Sequence, residues 1–340
     1  MSNSIRNYLD KETAISEIRL LLYSDYEHKK SFIVVEGEDD CRFFKGKLNE
    51  DVDIVESFSG KHGVLEIISE INDDRVIGIR DKDCYPVTEH QRMFYYDYSC
   101  LEVMMIMNDM TWQSLCYQFY DGELSIDELR SKIFYDLKWL TLFRKLNSER
   151  EWGIRFDGFS YSNAWNENEC FFDNELGFIE LKNINADKQE ERLFQCKTDV
   201  DGHLAYFDND DLPFFTQGHD FINYFKCICD GRKGIIIKTI GQVLRGAYRL
   251  DDFEKSQLYE RLTNYSANTG VRLLRMNQSR TFGLCEKISV NLKTVIKTLS
   301  CERLENSRSD FFTVYNGYCN LSRFFEYQPA GMERSGMESG

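Results

Sequence analysis

Apolar positions in the first part of the chain switch repeatedly between a helical period and short continuous runs. Ile15, Ile18, Leu21 and Leu22 recur at helical spacing with polar residues opposite, which predicts a helix over 12–30. The run Ser31-Phe32-Ile33-Val34-Val35 is unbroken and rich in β-branched residues, the pattern of a strand buried on both faces of a parallel sheet. A second helix over 39–48 and a second strand over 52–55 follow. Ser59-Gly60-Lys61-His62-Gly63 reads as a turn opening a helix to about Ile71, with Val64, Leu65, Ile67, Ile68 and Ile71 inward. A third strand over 75–80 buries Val76, Ile77 and Ile79 and ends at Asp81-Lys82-Asp83. Alternating strands and helices with short links predict a parallel α/β sheet flanked by helices. Right-handed crossovers then gather the strand C-termini along one edge, where such sheets bind ligands. Glu36, Gly60 and Asp81 all fall on that edge.

Beyond it the pattern becomes mainly helical. Helices are expected over 101–116, 126–146, 221–229, 250–265 and 287–301. The stretch 152–211 is aromatic, acidic and without a clear period, and Gly, Ser and Met mark 328–340 as a disordered tail. The division expected is 1–110 for the α/β part with its N-terminal helix, 111–327 for a helical region with an insertion, and then the tail.

Composition narrows the class. With 340 residues, 42% hydrophobic and 29% charged, the chain has the make-up of a soluble globular protein. It contains no apolar run of membrane-spanning length and no apolar N-terminal signal region, so the cytoplasm is the expected location. Its 11 cysteines contain no CxxC pair, and most stand in apolar stretches as small hydrophobes. The net charge is −15, yet 14 basic residues face 6 acidic ones between Arg232 and Arg303. That segment is either a holder of polyanions or a solvated helical face.

The chemistry concentrates in two segments. Glu36 follows a buried strand directly and precedes Gly37, which would let the chain turn and a substrate approach. Asp81 and Asp83 end another strand one residue apart, and in extended chain both would face one site while Lys82 points away. Carboxylates converging this way repel one another unless a cation joins them. Oxygen-only ligands select Mg²⁺, with Mn²⁺ as a substitute.

Val35-Glu36-Gly37, followed by Asp81-Lys82-Asp83, resembles the signature of the Toprim fold of topoisomerases, primases, OLD-type nucleases and small ribonucleases. Ser59-Gly60-Lys61, Tyr98-Ser99-Cys100-Leu101-Glu102 and Gly218-His219-Asp220 narrow the likeness to Toprim nucleases with a C-terminal extension, typified by the AriB effectors of PARIS anti-phage systems. The resemblance implies a toxin-like endonuclease restrained by an ABC-type ATPase (AriA-like). On release it would act as a homodimer that cleaves host tRNA. Arg80 departs from the small or apolar residues common before the first aspartate. An OLD-like DNA nuclease and a non-catalytic Toprim binding module are the rival readings.

Within that frame Glu36 is a metal ligand or the proton-moving group, and Asp81 and Asp83 are metal ligands. Glu102 either completes the metal shell or simply favours a helix N-terminus. Lys61, beside Gly60 at a helix start, balances phosphate charge or is a surface lysine. His219 and Asp220 read as a pair that caps and orients a helix rather than as metal ligands. Arg272, Arg275 and Arg280, with Arg245 and Arg249, line a phosphate track or a solvated surface. The aromatic runs Phe94-Tyr95-Tyr96 and Phe171-Phe172 read as core.

Overall fold

In a computed structural model, the described residues are 10–83, 90–166, 171–229 and 235–275. They all belong to a compact unit that ends at Arg275. Arg280, the helix expected over 287–301 and the tail expected over 328–340 lie outside them.

The central sheet has four parallel strands, β1 (Ser31–Val35), β2 (Val52–Glu56), β3 (Val76–Arg80) and β4 (Met93–Tyr95), in the order β2-β1-β3-β4. Its two faces follow from alternation along β1. Phe32 and Val34 pack with Val76 under α1 (Lys11–Ser24) and α3 (Gly60–Glu70), through Ile15, Ile18, Val64, Ile67 and Ile68. Ile33 and Val35 join Ile77 and Ile79 on the opposite face, against Phe43 and Phe44 of α2 (Glu38–Phe44). Each such fully buried side chain contributes about 1.5–3 kcal/mol. Gly78 shows how closely α3 approaches, since a methyl group there would lie 2.7 Å from Val64 Cγ1.

The second face continues without a break into the helices α4 (Leu101–Ile106), α5 (Asp109–Phe119), α6 (Ile126–Asp136), α7 (Lys138–Glu149), α11 (Gly218–Cys229), α12 (Ile237–Ala247) and α14 (Gln257–Thr269). Trp112, Ile133, Phe143, Phe221, Leu244 and Leu262 share one core with Ile33 and Ile77. The expected division at residue 110 falls inside this shared core.

Three expected helices are each broken in two. The 101–116 helix stops at Ile106, and Asn108 accepts the Thr111 amide to start α5. The 126–146 helix is interrupted at Leu137. The 250–265 helix comprises α13 (Leu250–Phe253) and α14, the latter capped by Ser256. At Asn108 and Ser256 local hydrogen bonds from the side chain compete with helix continuation, while the apolar period runs on across the breaks. Strand β4, read only as an aromatic core run, escapes periodicity because three residues are too few. The unassigned stretch 152–211 holds the two-residue ladder β5 (Trp165–Asn166) with β6 (Phe171–Phe172), and the helices α8 (Asn174–Ile184) and α9 (Glu190–Leu204). The short α10 (Leu212–Phe215) then leads into α11.

Candidate functional site

Strand order places the site. β1 and β3 are neighbours, and the chain leaves β1 for β2 on one side and β3 for β4 on the other. The crevice at their carboxyl ends is thus the switch point where α/β sheets bind ligands. Glu36 and Asp81 are the first residues beyond those two strands. The Asp81 backbone amide donates to Glu36 Oε1 at 2.9 Å. Asp81 Oδ1 in turn accepts the Leu101 amide at 3.1 Å, at the start of the helix that carries Glu102.

The chain turns left-handed at Asp83 (φ 50°), so the two aspartates do not share a face by strand alternation as expected. This conformation costs a non-glycine residue on the order of 1 kcal/mol. Asp83 is held there by Lys61 Nζ on Oδ2 at 3.1 Å and by Gln217 Nε2 on Oδ1 at 3.2 Å. Lys82 points away, donating to the Asp97 carbonyl and lying over the Phe214 ring. Gly37 is extended (φ −153°), a conformation open to any residue, so the sharp turn expected of it is not made. Its amide bonds Asp40 Oδ2 at 3.0 Å. Gly60 does take a left-handed conformation (φ 48°) at the start of α3.

Asp40 is the residue that sequence reasoning missed. It stands in a run of three acids at the start of α2, where a favourable helix-end charge is explanation enough. The fold turns it inward, where Tyr96 donates to its Oδ1. Gln217 was missed too, because it lies far along the chain and carries no motif of its own.

The electrostatics match this crowding. Burial pushes Glu36 up to about 7, with Asp83 and Asp40 adding repulsion against the Asp81 amide bond. Burial, with the charge of Glu102, pushes Asp40 up to about 6. Asp81 is driven well above the usual carboxylate range by burial and then by Glu102, Glu36, Asp40 and Asp83. Four acids thus raise a fifth.

Compared with known proteins, the chain matches no family model. No curated protein matches it either.

Among the described residues, no three His, Cys, Asp or Glu side chains are gathered into a ready-made cation cage. Glu36 and Asp81 turn instead onto backbone amides, and Asp83 onto Lys61. The donor set nevertheless fits a hard divalent cation, being all oxygen and too negative for its surroundings. Glu36, Asp81, Asp83 and Glu102 would hold it. The described cysteines Cys41, Cys100, Cys116, Cys196, Cys227 and Cys229 are free thiols.

The remaining candidates lie elsewhere. His219 and Asp220 occupy the first turn of α11. Asp220 is wholly buried. Burial would raise it, but Arg144 beside it, with His219 and Tyr161, holds it down at about 2. The Arg275 amide donates to the Lys47 carbonyl, and Asn49 bonds Leu273. Arg272 and Arg275 therefore flank the start of β2, at the opposite rim of the sheet from the carboxylates. The two rims are separated by the length of a five-residue strand, on the order of 15 Å. Arg245 is paired with Asp39 at 3.1 Å, on the helix that also carries Asp40.

Proposed function

We propose that this chain is a Toprim-like, divalent-cation-dependent endonuclease that hydrolyses phosphodiester bonds. The observation that carries the reading is the burial of Asp81 at the switch point of a parallel sheet, where it is strongly disfavoured as an anion by that burial and by the charges of Glu102, Glu36, Asp40 and Asp83.

A bound Mg²⁺, or Mn²⁺ in its place, would polarise a phosphoryl oxygen and stabilise the leaving oxygen. Glu36, near 7, suits proton transfer at neutral pH. Lys61, held on Asp83 at the start of α3, balances charge on the reacting phosphate. Gln217 steadies Asp83 from the other side.

The family likeness extends the proposal to a cytoplasmic anti-phage effector. It is released from an ABC-type ATPase, active as a homodimer, and directed at host tRNA. Among the described residues, no helix is long and apolar enough to cross a membrane.

The test is to incubate the purified chain with tRNA and with supercoiled plasmid, with Mg²⁺ or with EDTA. The proposal expects Mg²⁺-dependent cleavage of tRNA, abolished in Glu36→Gln. Cleavage of plasmid alone would move the reading to an OLD-like DNA nuclease. Cation-independent cleavage, or none of either substrate by the freed chain, would overturn it.

A further inference from the structure

The start of α11 is gripped from two sides. On one, Gly218 lies directly on Glu102: an added methyl group would come within 2.6 Å of Glu102 Cβ and 2.7 Å of both Glu102 Oε2 and Cys100 Sγ. On the other, buried Asp220 receives a two-pronged contact from Arg144, Nε to Oδ2 at 2.7 Å and Nη2 to Oδ1 at 2.8 Å. The Tyr161 hydroxyl also donates to Asp220 Oδ1, and the guanidinium lies 4.2 Å over the Phe156 ring. Residues two apart on a helix are separated by roughly 200°, so Gly218 and Asp220 face opposite ways.

The residues just before this turn reach the same site. Gln217 donates to Asp83, and the Thr216 carbonyl accepts from Ser99 Oγ. The Ser99 carbonyl accepts the amides of Lys82 at 2.9 Å and Asp83 at 3.1 Å, while its own amide bonds Pro213. The segment 213–220 is thus a strap across the carboxylate edge, tied to the Asp81–Asp83 turn and to Glu102, and anchored in α7 by the Arg144–Asp220 ion pair and by a hydrogen bond between the Thr141 and Thr216 hydroxyls.

We propose that Arg144 and Asp220 are positioning residues for the carboxylate site: they fix the first turn of α11, so that Gly218 sets the place of Glu102 and Gln217 that of Asp83. A buried ion pair adds little net stability over an apolar pair of similar size. A two-pronged guanidinium–carboxylate contact does impose one geometry, which is what ligands to a shared ion require. The inference rests on the reading that the site holds a divalent cation.

The test uses the full chain with Mn²⁺ alone as the probe. One variant is Gly218→Ala. A second replaces both ends of the clamp, Arg144→Met with Asp220→Asn, so that no buried charge is stranded. A third, Arg144→Lys, keeps the charge but loses the fork. Mn²⁺ binding is followed by electron paramagnetic resonance, and backbone order by amide hydrogen exchange. Mn²⁺ affinity is expected to fall about 10–100-fold in the first two variants. In the clamp variants, exchange across 99–106 and 213–220 should quicken about tenfold or more, with α1 and α3 unchanged. Wild-type affinity within twofold and unaltered exchange in all three would overturn the inference. A wild-type chain that binds no Mn²⁺ would remove the cation reading and leave the exchange measurement to decide the clamp.

Discussion

Glu36 and the Asp81 amide are joined across the ends of adjacent strands at 2.9 Å, so the two predicted motifs meet through a hydrogen bond as well as through charge. A glutamine at 36 keeps the accepting oxygen and removes the charge. Glu36→Gln should therefore fold, with a melting temperature in EDTA equal to or up to about 2–4 °C above wild type, while cleavage falls about 100-fold or more. Thermal melts beside a tRNA cleavage assay check both halves.

The crowded acids make stability depend on pH in an unusual direction. Glu36 moves from 4.5 to about 7 and Asp40 from 3.8 to about 6 on folding. The folded chain thus binds more protons than the unfolded one between about pH 4 and 7, and stability falls as pH rises through that window. In EDTA the melting temperature should fall between pH 5 and about pH 8, and saturating Mg²⁺ should flatten that slope. Calorimetric melts across the range test this, and a rising melting temperature in EDTA would contradict it.

Much of this arrangement was legible from sequence. Continuous β-branched runs gave β1 and β3 with their terminal acids, because buried parallel strands have no polar face to blur the pattern. Asp40 and Gln217 were not legible: one is hidden among helix-start acids, and the other is 134 residues from the aspartate it holds. Arg272 and Arg275 were open between a phosphate track and a solvated surface, because charge reveals composition but not the edge of the sheet it occupies. Helix breaks at Asn108 and Ser256 were masked by an apolar period that continues across them.

Lys61 and Asp83 form a partly exposed pair, so Lys61→Met should cost the fold no more than about 1 kcal/mol. Loss of charge beside the reacting phosphate should lower kcat about 10²–10³-fold. Denaturant titration and steady-state kinetics separate these effects, and an unchanged kcat would make Lys61 an ordinary surface lysine.

Gly78 leaves room for Val64 Cγ1 at 2.7 Å and Met93 Sδ at 3.1 Å from an added methyl group. Gly78→Ala should therefore push α3 off the sheet and destabilise the fold by about 1–3 kcal/mol, as read from urea unfolding.

Arg272 and Arg275 stand at the far rim, so the double variant Arg272→Gln, Arg275→Gln should leave kcat within about twofold of wild type. Contacts with the body of a large RNA would show only as a shallower dependence of binding on salt. A collapse of kcat would bring these arginines back to the reacting phosphate.

Isothermal titration of Mg²⁺ and Mn²⁺ into wild type and Asp81→Asn at pH 7.5 tests the shared ion most directly. The wild-type chain should bind saturably and release protons, since Glu36 is partly protonated near neutrality. Asp81→Asn should bind about 100-fold more weakly or not at all. No binding to wild type, or equal binding to both, would contradict the account.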